Sequence, residues 1–207
     1  MTKTKDQIIQ KAFALFMTLE YREVTMSRIL KATGLSKGGF YHYFESKEAL
    51  FEEVFEQFFF SAASDQAFRP DSSRTFVENM DLFLEQKEAA FKMFAQHLGV
   101  EHSEINFFMF IMHAIQHLPG ARQKTELFMQ HEKRQLESII ELALQKGELS
   151  GNVQPNRMAE LLMRLFDGTE MHGVLLKESF QTLSRERQMV RDIFQWIQSP
   201  EKGIETV

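Results

Sequence analysis

Residues 36–42 read Ser-Lys-Gly-Gly-Phe-Tyr-His, a run that joins a cation, two backbone positions without side chains and two polar-tipped rings. Lys37 can offer charge to a phosphate or to a guanine edge. Gly38 and Gly39 leave the backbone free to approach a surface closely. In a helix each glycine costs about 1 kcal/mol relative to alanine, a penalty that a short exposed helix rarely carries without reason. Tyr41 and His42 have polar tips suited to a phosphate or a base edge. Thr25, Arg28 and Lys47 flank the run with further hydrogen-bonding or charged groups. Free helix N-termini at Thr25 and Ser36 would add amide donors for phosphates. The chemistry this set can perform is recognition of duplex DNA.

Such residues need rigid elements to hold them. The segment 25–50 predicts a helix capped by Thr25, a turn at Gly34, and a short helix capped by Ser36. That is a helix-turn-helix, whose second helix lies in the major groove. Ile29, Leu35 and Phe40 would form the small core that fixes the crossing angle, and Gly34 supplies the positive φ of the turn. Ser46 can cap a fourth helix with Leu50, Phe51, Val54, Phe55 and Phe58 on its buried face. Upstream, Ile8, Ala12, Leu15 and Leu19 make one apolar stripe.

Beyond residue 60 the helices lengthen. Phe76, Met80, Phe83 and Leu84 mark one, and residues 89–98 a shorter separate one. Residues 105–117 end at Leu118-Pro119-Gly120, residues 122–146 end at Gly147, and Pro155 opens the next. A last helix holds Met189, Val190, Ile193, Phe194 and Ile197, and a polar tail follows at 201–207. Strand signals are almost absent. The expectation is an all-α chain of about nine or ten helices. A DNA-binding head, residues 1–50 with its last helix running to about 62, precedes a larger ligand-binding and dimerisation domain at 51–200.

The 207 residues carry a net charge of −5, unevenly spread. Residues 1–50 hold eight Lys or Arg against five Asp or Glu, and the remainder sixteen against twenty-four. A basic head on an acidic body presents one end to phosphates. Without cysteine there is no disulfide or thiolate chemistry. No signal peptide or bilayer-spanning run is visible, so a cytoplasmic location without membrane contact is expected. There is no nucleophile elbow, phosphate loop or dinucleotide fingerprint, which argues against an enzyme and leaves no cofactor expected. His113 and His117 have the i, i+4 spacing of metal ligands, but no third ligand is placed, and an ordinary core or surface role is the better reading.

The residues now resemble the TetR family of bacterial transcriptional regulators over roughly positions 5–55. The resemblance is carried by Thr25, Ile29, Ala32-Thr33-Gly34-Leu35, Ser36-Lys37-Gly38, Phe40-Tyr41-His42-Tyr43-Phe44 and Ser46-Lys47-Glu48-Ala49-Leu50. Where many members carry threonine, serine or alanine, this chain has Gly39, which removes one base contact. The resemblance implies three N-terminal helices as the DNA head, a fourth leading to a ligand domain, and two long helices per subunit in a four-helix dimer interface. Those helices would be about 122–146 and 155–178, with Leu136, Ile140, Ala143, Leu162, Phe166 and Thr169 at the interface. A homodimer reading a palindromic DNA operator also follows from the few base pairs one short helix can read.

For a small-molecule inducer the candidate pocket residues are Phe83, Phe107, Phe110, Met112, His113, Phe166 and His172. Core filling accounts for the same Phe and Met richness equally well. The run Phe58-Phe59-Phe60 fits either a hinge or a simply buried helix. Two functions stay open: a repressor released by a small apolar or amphipathic ligand, and a DNA-binding regulator that is constitutive or gated by a protein partner.

Overall fold

A computed structural model describes residues 3–64, 68–98, 107–150, 152–176 and 182–198. Among these residues it contains nine α-helices and no strand: α1 (Lys3–Thr18), α2 (Met26–Thr33), α3 (Lys37–Tyr41), α4 (Lys47–Ser64), α5 (Phe76–Leu98), α6 (Phe107–His117), α7 (Ala121–Gln145), α8 (Pro155–Leu176) and α9 (Thr182–Gln198). The all-helical class expected from periodicity is therefore observed. One expected break is not. Residues 89–98 continue α5 instead of forming a separate helix, because Glu85-Gln86-Lys87-Glu88-Ala89-Ala90 are all strong helix formers with no glycine or proline among them. The expected tail at 201–207 and the side chains of Phe58, Phe59 and Phe60 lie outside the described residues.

The chain divides into two contact units, residues 1–66 with 91–129, and residues 67–90 with 130–207. In the first, α1 turns Ile8, Ile9, Ala12, Phe13 and Phe16 inward, and α4 answers with Leu50, Phe51, Val54 and Phe55. Helix α6 belongs to this same core. Its Phe110 ring lies 5.5 Å from Phe13, 5.6 Å from Phe51 and 6.1 Å from Phe55. Leu118-Pro119-Gly120 ends α6 as expected, with Gly120 at φ 78°.

In the second unit, Met80, Phe83 and Leu84 of α5 meet Leu136, Ile139 and Ile140 of α7, Leu162 and Phe166 of α8, and Val190 of α9. Thr75 and Glu78 form a reciprocal capping box at the start of α5, with Thr75 N donating to Glu78 Oε2 at 2.7 Å and Glu78 N to Thr75 Oγ1 at 3.3 Å. Helix α7 ends in a Schellman motif. Gly147 takes φ 71°, Glu148 N donates to Ala143 O, and Gly147 N donates to Leu144 O.

Candidate nucleic-acid interface

The head is built from local rules that the sequence states openly. Thr25 is extended and accepts from Arg28 N at 3.3 Å, which starts α2. Gly34 closes α2 at φ 74°, a left-handed conformation in which any Cβ is strained. Ser36 is extended again and accepts from Gly39 N at 3.1 Å, which starts α3. Ile29 and Phe40 are fully buried and Leu35 is half-buried against them. They hold α2 and α3 as one rigid corner.

This anchoring leaves one face of the corner open. Thr25, Arg28, Ser36, Lys37, Gly38 and His42 are exposed, and Tyr41 is 48% exposed. The His42 ring stands edge-on to Tyr43 at 5.0 Å. A Cβ on Gly38 would meet nothing within 4 Å, so the fold itself does not require glycine there. A Cβ on Gly39 would come 3.3 Å from Ser36 Oγ, the atom that caps the helix. The two glycines therefore have different reasons: Gly39 keeps the cap uncrowded, and Gly38 has no internal one.

Lys47 is committed elsewhere. Its Nζ donates to Tyr21 O at 3.0 Å and sits 3.8 Å from the Tyr21 ring centroid. Partial burial lowers its pKa, with the Glu48 carboxylate opposing. These contacts tie the start of α4 to the loop before α2. Sequence reasoning missed Tyr21, the centre of this tie. Its hydroxyl donates to Glu48 Oε1 at 3.0 Å, and burial, reinforced by that bond, raises its pKa. Its ring stacks on His117 at 4.3 Å and its N–H donates to His113 Nδ1 at 3.3 Å. These partners lie 27 to 96 residues away, and no local signal marks them.

The candidate pocket residues are divided between the two contact units. Phe110 fills the first core and Phe83 and Phe166 the second; all three are buried among other core side chains. Phe107 is half-buried beside the first core, while His113 accepts the Tyr21 N–H. Met112 is 55% exposed and His172 is exposed. For Phe83, Phe110 and Phe166 core filling is the role observed.

The expected interface residues need a similar correction. Leu136, Ile140, Ala143, Leu162, Phe166 and Thr169 are all buried inside their own unit, where a second subunit cannot touch them. Helix α8 instead has a second stripe, Leu161, Leu165, Gly168, His172 and Leu175, spaced i, i+4, i+7, i+11 and i+14. Leu175 on it is 68% exposed, and a Cβ on Gly168 would meet nothing. Trp196 of α9 is 79% exposed. Among the described residues no helix is long and apolar enough to cross a membrane.

Comparison with known proteins agrees with this geometry. Residues 8–54 match the family model described as bacterial regulatory proteins, tetR family. No curated protein sequence matches the chain. Among solved structures, regulatory protein TetR from Rhodobacter sphaeroides is 21% identical with a TM-score of 0.68, covering 91% of this chain and 97% of its own. Reduced NemR from E. coli is 20% identical at 0.66, covering 93% and 98%. A TetR transcriptional regulator from Chloroflexus aurantiacus is 21% identical at 0.67, covering 93% and 94%. The head thus matches the tetR family of bacterial regulatory proteins over residues 8–54, and along the rest of its length the chain shares the fold of these solved regulators.

Proposed function

We propose that this regulator is a repressor that grips a palindromic duplex operator as a homodimer and lets go when a small molecule enters its C-terminal domain, residues 51–200. The observation that carries the DNA contact is the solvent-facing corner at Ser36: Phe40 is anchored inward while Lys37, Gly38, Tyr41 and His42 face out. Lys37 supplies the phosphate or guanine contact, Tyr41 and His42 the polar tips, and Thr25 and Arg28 the backbone contacts at the start of α2. Gly38 lets the α3 backbone lie close to the duplex. Two such helices related by a two-fold axis read two half-sites.

The unpartnered stripe on α8, with Gly168 at its centre and Trp196 on α9, supports self-association through this unit, since apolar patches of this kind mark interfaces. A ligand would act only through its different affinity for the DNA-competent and DNA-incompetent dimers.

Selection from random duplex DNA should return a two-fold symmetric site, bound with a steep salt dependence. Lys37→Ala and Tyr41→Ala should each weaken that binding at least tenfold, about 1.4 kcal/mol, with unchanged thermal unfolding. Undiminished affinity in both would remove α3 from the interface. A compound screen for release then tests the second half of the proposal.

A further inference from the structure

Tyr21 lies in the turn that leads into α2, and three helices of the first unit hold it. From α1, the Phe16 ring stacks at 5.9 Å. From α4, Lys47 Nζ donates to Tyr21 O and Glu48 Oε1 accepts from the hydroxyl, both at 3.0 Å. From α6, the His117 ring stacks at 4.3 Å and His113 Nδ1 accepts from Tyr21 N–H at 3.3 Å. The turn itself is tight. Glu23 N and Val24 N both donate to Glu20 O, Thr25 N donates to Glu23 O, and Val24 is fully buried. A shift of Tyr21 is therefore carried to Thr25, the N-cap of α2, and to Arg28, whose N–H that cap accepts.

One of these ties is broken by a single proton. An imidazolium carries N–H on both nitrogens, so a protonated His113 cannot accept, and the Tyr21 N–H would face a second donor. The other polar ties outlast it on acidification. Lys47 remains an ammonium, and hydrogen bonds, first from its own backbone, hold the Glu48 carboxyl below the usual carboxylate range. The helices packed against α6 are α1 and α4. The first brings Phe16 to the cluster, and the second brings Lys47 and Glu48, both on Tyr21. The charged groups that act on His113 itself are Glu20 of the turn and His117 of its own helix. Burial foremost, with His117, holds the His113 pKa below the ordinary 6.5, and Glu20 opposes. The tie is therefore complete at neutral pH and is lost as pH falls through that lower value.

We infer that His113 is a positioning residue for operator binding: its bare Nδ1 fixes, through Tyr21, the turn that presents Thr25 and Arg28 to the duplex, and a proton on that nitrogen releases the turn and weakens the grip on DNA. The release of the turn stands on the geometry alone, and its effect on the operator rests on the DNA-binding reading above. The sign sets this apart from ordinary electrostatics. Acidification adds positive charge to a protein and so strengthens its hold on phosphates. Here it weakens that hold.

Two measurements on the full chain test the inference, each at pH 8 and pH 5, in the parent and in His113→Asn, which keeps an acceptor that does not titrate. Amide hydrogen exchange across residues 19–25, scaled by the intrinsic rate at each pH, reads the turn without DNA. Protection there should fall at least about threefold on acidification in the parent and hold in the variant, with α7 as the unchanging reference for global unfolding. Fluorescence anisotropy with the operator returned by selection reads the consequence. Affinity should fall at least about threefold in the parent, and hold or rise in His113→Asn. Protection that ignores pH, or falls equally in the variant, overturns the tie. A turn that opens while operator affinity holds or rises overturns the positioning role. A chain that selects no duplex at pH 8 sinks the DNA-binding reading and the positioning role with it, whereas the exchange result still decides the tie between His113 and Tyr21.

Discussion

Gly38 and Lys47 carry the sharpest tests at the scale of single residues. Alanine at Gly38 has room for its Cβ and better helix propensity, so stability should hold or rise by up to about 1 kcal/mol. If the glycine serves close approach to DNA, operator affinity should fall in the same variant. A Gly38→Ala protein with full affinity would leave that glycine unexplained. Lys47→Met removes a charged hydrogen bond and a cation–π contact, which together stabilise by roughly 1–3 kcal/mol. Because Lys47 is spent inside the fold, the variant should lose stability while keeping the salt slope of operator binding. Lys37→Ala should do the opposite and reduce that slope by about 1. The contrast explains what was legible. The caps at Thr25 and Ser36 and the turn at Gly34 could be read because each depends on residues three or four positions away. Lys47 looks like a second phosphate ligand because its partner, Tyr21, is brought to it only by tertiary structure.

At the scale of elements, the main departure concerns α6. Its apolar run reads equally as pocket or core, and within it Phe110 packs against Phe13, Phe51 and Phe55. Periodicity can find such a helix but cannot say which neighbour it faces. The consequence is that α6 meets the loop before α2 through His113 and His117. Nδ1 of His113 must be unprotonated to accept from Tyr21 N–H. Burial lowers its pKa, Glu20 opposes and His117 adds to the lowering. The unfolded chain then takes up the proton at higher pH than the folded one. The stabilisation is therefore fully present above the ordinary histidine value of 6.5 and drains away as pH falls through the lower folded value. His113→Asn retains an acceptor that does not titrate. Urea unfolding at pH 8 and pH 5 should show a smaller loss of stability on acidification in the variant than in the parent, and an identical loss would mean that His113 is not the group responsible.

At the scale of the whole molecule, helix amphipathicity gave the number of long helices but misjudged which face of α8 is available. Leu162, Phe166 and Thr169 follow a strong apolar period, and that period belongs to the second unit's own core. The stripe of Leu161, Leu165, Gly168, His172 and Leu175 is weaker in sequence, interrupted by a glycine and a histidine. It is nevertheless the more exposed face among the described residues, with Leu161 49% and Leu175 68% exposed. The two faces predict separable outcomes. Leu136→Ala empties a fully buried position and should cost roughly 2–5 kcal/mol in folding. Leu175→Arg places a charge on a side chain already 68% exposed, so the subunit should remain folded. If that stripe joins two subunits, the charge would be buried without a counter-ion, and the dimer should dissociate. Sedimentation at micromolar concentration reads the result directly, and operator affinity should collapse with the dimer because one α3 reads too little DNA alone. A Leu175→Arg protein that still sediments as a dimer would move the interface off this face of α8.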